Sequence, residues 1–305
     1  MKRLKILFLF FATSAMFISC DDPIDDGISL NQLLSSYDLW YVDYNRTEGT
    51  GDVPFVSRAF TMSFFNGRMF ANNNIADIGI TGNGLGIEVG SYGTFSTVLE
   101  TNHIIDGRYD FDVVQLSRNQ IRIDCLDTNV SYYLIGYQRS NFDYDMLFYD
   151  NIEYFLQEYV AWERTGISGG IDNVFDEEHY LEFTPENITT FRSSQDPFGT
   201  DIDNILWDFV GSYEVTDVRG YEYLKYLTLY YDGGDREEFE LNVLDDQTIE
   251  LYHFDSDRVY RFSGRGFIQI LKGDKTSAKT KAKNRNSNRK RTRVKRKTVD
   301  KRVLK

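Results

Sequence analysis

The stretch FDVVQLSRNQIRIDCLDTNVSYYLIG, Phe111–Gly136, lies without a gap over FELNVLDDQTIELYHFDSDRVYRFSG, Phe239–Gly264. Phe111, Leu116, Ile121, Asp127, Tyr132 and Gly136 match Phe239, Leu244, Ile249, Asp255, Tyr260 and Gly264 identically. Conservative pairs fill the intervals, among them Val113/Leu241, Asn119/Gln247 and Ile123/Leu251. Toward the N-terminus the matching continues in order. VGSY recurs at Val89–Tyr92 and Val210–Tyr213, Asn66 and Phe70 fall on Asn187 and Phe191, and Leu34, Tyr37 and Trp40 fall on Leu156, Tyr159 and Trp162. Collinear matches separated by small changes of offset are the mark of a tandem duplication. The offset changes most, by seven residues, between Tyr213 and Phe239. The turn-forming residues Tyr231-Asp232-Gly233-Gly234-Asp235 are the expected place for that insertion.

One unit reads as a short helix followed by a meander. Leu30, Leu33, Leu34 and Tyr37 have helical spacing, as do Ile152, Phe155, Leu156, Tyr159 and Val160 in the second copy. Phe60–Phe70 reads as strand, turn and strand, with Asn66 and Gly67 suited to the turn; its counterpart is Leu181–Phe191, with Pro185 and Asn187. Alternation of period two is clear in Ile121/Ile123/Cys125 and Val130/Tyr132/Leu134. Evenly spaced strands with short turns predict an antiparallel meander, which buries one face and removes its edges by closing into a small barrel. The expected fold is therefore all-β: two tandem barrels, each with a leading helix, over 28–138 and 150–266.

The ends of the chain have their own signatures. MKRLKILFLFFATSAMFISC opens with Lys2, Arg3 and Lys5 and continues in an apolar run, Ile6–Ile18, that is short for a membrane span and reads as a secretory signal. Phe17-Ile18-Ser19-Cys20 resembles the lipobox of bacterial lipoproteins, where cleavage precedes a lipidated cysteine. This implies a signal peptide over 1–19, lipid attachment (palmitate or a similar acyl group) at Cys20, and an acidic tether over 20–27. The tether, Asp21-Asp22-Pro23-Ile24-Asp25-Asp26, resembles the export signals of surface-exposed lipoproteins and equally suits a solvated linker. With Cys20 lipidated, Cys125 has no disulfide partner and reads as a small strand residue.

Charge is segregated. Residues 272–305 hold 16 Lys/Arg and 2 Asp, and residues 20–271 hold 15 basic and 45 acidic side chains, so a body of net charge −30 carries a tail of +14. The tail has no aromatic residue, and composition alone predicts a disordered basic segment. Three readings follow: a solvated tail without a specific partner, contact with an anionic polymer (lipopolysaccharide, acidic polysaccharide or extracellular DNA), or collapse onto the acidic body. For the second, the candidate contacts are Arg289, Lys290, Arg291, Arg293, Lys295, Arg296 and Lys297.

Signals for catalysis are sparse. His103, His179 and His253 lie in different segments, and only His179 has close acidic neighbours, Glu177 and Glu178. Gly82-Asn83-Gly84-Leu85-Gly86 imitates a phosphate loop without the helix or lysine that such a loop needs. Asp196, Asp201, Asp203 and Asn204, or Asp143 and Asp145, supply oxygen ligands without the spacing of a calcium loop. No nucleophile–base motif, cofactor fingerprint or cysteine-rich metal site is present, so no catalytic, metal or cofactor-binding residue is assigned.

The order Leu33-Leu34…Trp40, Phe60…Phe64…Gly67…Phe70, Val89-Gly90-Ser91-Tyr92, Leu116…Ile121…Ile123…Tyr132 resembles the lipocalin-like domain of Bacteroidota lipoproteins. The second copy departs from it where Glu163-Arg164-Thr165-Gly166 follows Trp162, a run expected to end the strand, and where Ile188 replaces Gly67. The resemblance implies a barrel fold and an outer-membrane location, on the periplasmic or cell-surface face, and no site residues. The leading expectation is a non-catalytic envelope lipoprotein that binds a small or extended ligand or serves as an accessory subunit of an envelope complex. A secreted hydrolase acting on polysaccharide or lipid, and an adhesion protein gripping anionic polymer through its tail, are the alternatives. An open cavity in either barrel would favour ligand binding; filled interiors would favour a structural role.

Overall fold

A computed structural model describes residues 27–184, 187–268 and 291–303. The signal segment, Cys20, Arg289 and Lys290 lie outside the described residues. Helix α1 (Leu30–Ser35) is started by a capping box, in which Ser29 accepts from the Gln32 amide and Gln32 bonds back to Ser29. It leads into β1 (Leu39–Gly49), and a second short helix, α2 (Pro54–Arg58), follows. Then come β2 (Thr61–Phe65), β3 (Arg68–Asn72), β4 (Ile87–Phe95), β5 (Val98–His103), β6 (Gly107–Ser117), β7 (Gln120–Cys125) and β8 (Val130–Tyr137). Each strand pairs antiparallel with the next, and β8 returns to β1, with Trp40 opposite Gly136. Asn66 and Gly67 both have positive φ, as a two-residue turn between β2 and β3 demands.

Helix α3 (Tyr144–Asp150), which the sequence did not announce, links the barrels to α4 (Ile152–Leu156). The second barrel is β9 (Tyr159–Gly169), β10 (Tyr180–Phe183), β11 (Thr190–Ser194), β12 (Phe209–Val218), β13 (Tyr221–Tyr231), β14 (Arg236–Asp245), β15 (Thr248–His253) and β16 (Arg258–Phe267). It closes through β16 and β9, with a further pairing of β11 to β12.

The duplication is legible in atomic detail. The indole N–H of Trp40 donates to the Leu34 carbonyl at 2.9 Å, and that of Trp162 to Leu156 at 2.8 Å. Tyr37 lies over Gly136 and Tyr159 over Gly264, so closely that a Cβ at either glycine would sit about 2.5 Å from the ring. Two local expectations are corrected. Tyr159 and Val160 belong to β9, not to the helix. Glu163–Gly166 also continue β9, because Glu163 pairs outward with Arg265 while Arg164 folds onto the carbonyls of Asp176 and Glu178.

The seven extra residues are not in the turn at Tyr231–Asp235. Gly90 pairs with His103 and Tyr92 with Thr101; the equivalent pairs are Gly211 with Tyr231 and Tyr213 with Leu229. Everything from Leu229 onward is thus already in register with the first copy. The insertion lies between Glu214 and Thr228, where it lengthens the β12–β13 hairpin and leaves its tip without a counterpart.

Among the described residues, large apolar side chains pack into both interiors. In the first barrel Phe55 of α2 packs against the rings of His103, Tyr109 and Phe111, closing one end. In the second, a short turn, Val174–Glu177, brings Phe175 against Phe239, Tyr260 and Phe262. These corks, together with Trp40, Trp162 and the inward residues of each strand, occupy the space that a lipocalin leaves for a ligand. The barrels also share a core. Tyr41, Phe60, Ile75, Ala76 and Ile78 of the first join Leu147, Phe148 and Phe155 of the linker and the interior of the second in one apolar cluster. Beside it the fully buried Glu158 carboxylate accepts the Ile75 and Ala76 amides at 2.9 and 2.6 Å.

Candidate functional site

Residues 291–303 are ordered against the body. For these residues the geometry matches the third reading, collapse onto the acidic surface; the other residues of the basic tail lie outside the described residues. The segment forms a strap that crosses the first barrel, the helical linker and the second barrel in turn.

Arg291 is the deepest contact, 5% exposed. Its guanidinium donates to the Ala59 carbonyl at 2.6 Å and to Asn151 Oδ1 at 2.9 Å, with longer approaches to the Val42 carbonyl. It stacks over Phe60 and Tyr44 at 4.2 and 4.9 Å. Burial pushes its pKa down, against the fields of Tyr41, Tyr154, Tyr44 and Asp43. A planar, weakly hydrated fork with five donors suits such a place better than an ammonium does. Next along the chain, Arg293 donates to the Thr47 carbonyl, and the Val294 amide to Asn45.

Arg296 seats on the linker. It grips Glu153 with two bonds of 2.8 and 2.9 Å, donates to the Asp150 carbonyl at 2.7 Å and reaches Asp217 at 3.3 Å. Burial opposes its charge, but the bidentate bond and the fields of Glu153, Asp217 and Asp150 outweigh it and raise its pKa. Lys225 completes the group with a 2.7 Å bond to Asp217. Burial raises the Asp150 carboxyl above its usual range, although Lys225 and Arg296 oppose the shift.

Thr298 and Val299 then form β17, parallel to the end of β12, with Asp217 opposite Thr298 and Val218 opposite Val299. The Asp217 and Arg219 amides donate to the carbonyls of Lys297 and Val299 at 2.9 and 2.8 Å. These donors belong to the lengthened hairpin. The insertion peculiar to the second copy therefore supplies the seat, including the apolar cluster of Val218, Leu224 and Tyr226 with Phe254 and Val299. Arg302 finishes the strap, paired with Glu238 and lying over Phe254 at 4.2 Å.

Of the candidate polymer contacts, Arg291 and Arg296 are therefore spent on protein partners. Lys297 is exposed and paired with Glu214, whereas Arg293 and Lys295 remain at the surface. An open groove of about 670 Å³ remains beside the strap, lined by Met146, Asp150, Asp217, Tyr223, Lys225 and Arg296 among others.

No family model, curated protein or solved structure matches the chain. Function must be read from the side chains themselves.

Among the described residues, a constellation with the partners of a catalytic relay closes the second barrel. His253 bonds Glu237 at 2.6 Å through Nε2 and Ser256 Oγ at 2.7 Å through Nδ1. Ser256, however, is 4% exposed, accepts from Asn173 at 2.6 Å and gives its carbonyl to Ile171, so a substrate has no approach to its hydroxyl. The network also ties Tyr260 to Asn173 and Asp176 and fastens the cork. Glu178, 6% exposed nearby, is pushed up to about 7 by burial, although the hydroxyl that Tyr231 donates to it holds it back.

The other sequence candidates are structural or dispersed. His179 bonds the Asp196 carbonyl, and His103 stacks on Phe55. Asp196 holds the Leu206 amide, Asp201 the Asp203 amide, and Asp143 caps α3 while accepting the Tyr223 hydroxyl. Gly82–Gly86 forms a tight turn that receives Arg139 on the Asn83 carbonyl. Among the described residues no group of three or more His, Cys, Asp or Glu side chains is placed to hold a metal.

Proposed function

We propose that this chain is a lipid-anchored lipoprotein of the cell envelope, attached to the outer membrane through Cys20, whose paired barrels serve as a non-catalytic accessory or scaffolding module. The observation that carries the non-catalytic part is the filling of both barrels, since a lumen occupied by Phe55, Phe111 and Tyr132, or by Phe175, Phe239 and Tyr260, leaves binding to the outer surface. The anchoring part rests on the apolar run that ends at Cys20. The sealed Ser256–His253–Glu237 network weighs against a hydrolase. The binding of Arg291 and Arg296 within the protein weighs against a tail given over wholly to anionic polymer.

Anchoring is tested by replacing the cysteine. Cys20→Ala should abolish labelling by a clickable palmitate analogue and shift the protein out of the membrane fraction. Labelling at the unmodified level would refute the anchor. A survey of lipid and oligosaccharide probes by tryptophan fluorescence in the Trp207→Phe protein tests the rest: Trp40 and Trp162 are buried in the interiors, whereas Trp207 is half-buried outside them, so saturable quenching or a spectral shift in that protein would show an accessible lumen and overturn the scaffold reading.

A further inference from the structure

We propose that the seat made by the β12–β13 extension and the helical linker also receives the strap of a second copy of this chain, so that copies associate by exchanging residues 291–303. This inference concerns the strap alone and holds whether or not Cys20 carries a lipid.

The first reason is that the strap is built by what it touches. The hydrogen bonds described for residues 291–303 go to the body: to Val42, Asn45, Thr47 and Ala59, to Asp150, Asn151 and Glu153, and to Asp217, Arg219, Tyr226 and Glu238. None of these contacts depends on which molecule supplies the strap. The second reason is reach. Twenty-two residues, 269–290, separate Ile268 from Arg291; their greatest span is about 70 Å. The longest strands here have 11 residues, and such a strand is about 36 Å long. The connection is thus long enough to deliver the strap to a neighbour.

The third reason is complementarity. A strap rich in arginine meets Glu153, Asp217 and Glu238 on a body of net charge −30, which selects this occupant over an acidic or apolar one. The parallel pairing of β17 uses donors at the end of β12 that β11, paired at Phe209–Ser212, does not reach. Exchange of an identical element preserves each contact and gives up only the advantage of the tether. For tethered binding in general that advantage is an effective concentration on the order of millimolar. Exchange should therefore be minor in dilute solution and become comparable with self-docking as the protein approaches about 1 mM.

Cysteine pairing across β12 and β17 reads this directly, because Val218 and Val299 are register partners within one apolar cluster. The full chain is made as Val218→Cys, as Val299→Cys and as the double variant. The two single variants are mixed, oxidised near 1 µM and near 1 mM, and resolved on a denaturing gel. A covalent dimer containing one of each, strongly enriched at the higher concentration, is the expected result. If the double variant closes internally while the mixed singles give no heterodimer at either concentration, exchange is refuted.

A complementation pair guards against a cysteine geometry that closes in neither setting. Arg291→Ala/Arg296→Ala has a dead strap and an intact seat, whereas Glu153→Arg/Asp217→Arg has a dead seat and an intact strap. Light scattering should show a one-to-one complex of the two, with each alone monomeric at the same concentration. No complex at any concentration up to 1 mM would likewise reject the proposal.

Discussion

Replacing Arg291 by alanine is the sharpest test of how much the strap contributes. The side chain makes two good charged hydrogen bonds, to Ala59 and Asn151, and lies over two aromatic rings. Bonds to a charged group contribute roughly 1.5–3 kcal/mol each, and desolvated cation–π contacts about 1–2 kcal/mol each. Against them stands the cost of dehydrating a guanidinium, several kcal/mol in practice. The balance is a net loss of about 2–4 kcal/mol on substitution, part of it from the carbonyls and the Asn151 amide left without their donor. A ceiling applies: the loss cannot exceed the docking free energy of the strap, because beyond that the segment simply leaves. For a chain of this size about 1 kcal/mol corresponds to roughly 2 °C, so the thermal midpoint should fall by roughly 4–8 °C. Near-ultraviolet circular dichroism follows the melt, and limited trypsin digestion follows release of the strap, which should become cleavable well below the midpoint.

Two comparisons sharpen this test. Arg291→Lys should recover little, since an ammonium cannot span the same acceptors. Lys295→Ala, at an exposed position, should change the midpoint by less than about 1 °C. If Arg291→Ala melts with the unmodified protein and gains no trypsin sensitivity, the strap is not held as described. If about 0.5 M salt alone frees the strap, its docking is general attraction between +14 and −30, because buried contacts are screened far less than surface ones.

Two further outcomes concern the second barrel. Glu178 has a raised folded pKa, so its contribution is fully present below its unfolded pKa near 4.5 and is lost as pH rises through about 7; stability should therefore decline across that interval by up to about 3 kcal/mol, and Glu178→Gln should flatten the profile in urea melts at pH 4.5 and pH 7.5. An unchanged slope would remove Glu178 as its cause. Phe175→Ala should open the cork and cost about 3–5 kcal/mol, measured by urea denaturation, whereas a loss under 1 kcal/mol would mean that the turn carrying Phe175 does not seal the barrel.

The barrels were readable because alternation is a local property and the duplication presented it twice: Ile121/Ile123/Cys125 and Ile249/Leu251/His253 point the same way in both copies. The corks were not, since Phe55 sits in the short helix α2 and Phe175 in a short turn, both outside any alternating run, and they gain their meaning only from the lumen they enter. The insertion was detected but misplaced. An offset between matching blocks shows that residues were added between them, and only strand register shows that they lengthen a hairpin instead of enlarging the turn at Gly233. The strap was hidden by averaging. Composition describes 34 residues as basic and poor in apolar groups, whereas docking depends on Arg291, Arg296, Val299 and Arg302 finding Asn151, Glu153, Val218 and Glu238, which are remote in sequence. His179, whose acidic neighbours stand out in the sequence, holds a loop; His253 has one partner nearby, Ser256, but Glu237 and the Asn173 that joins them lie on other elements, so the network has no local signature.

The apolar cluster that runs from Phe60 through Phe148 into the second barrel has a calorimetric consequence. Duplicated domains that merely sit side by side melt as two events, each with its own enthalpy. Here a single cluster holds side chains from both copies, with the Glu158 carboxylate sealed beside it. Severing the chain in the linker would expose Tyr41, Phe60 and Ile75 on one half and Phe148 and Phe155 on the other, so neither half inherits a finished core. The pair should absorb heat in one transition whose van't Hoff enthalpy approaches the calorimetric value. In that sense the gene was doubled, while the unit of cooperativity was enlarged.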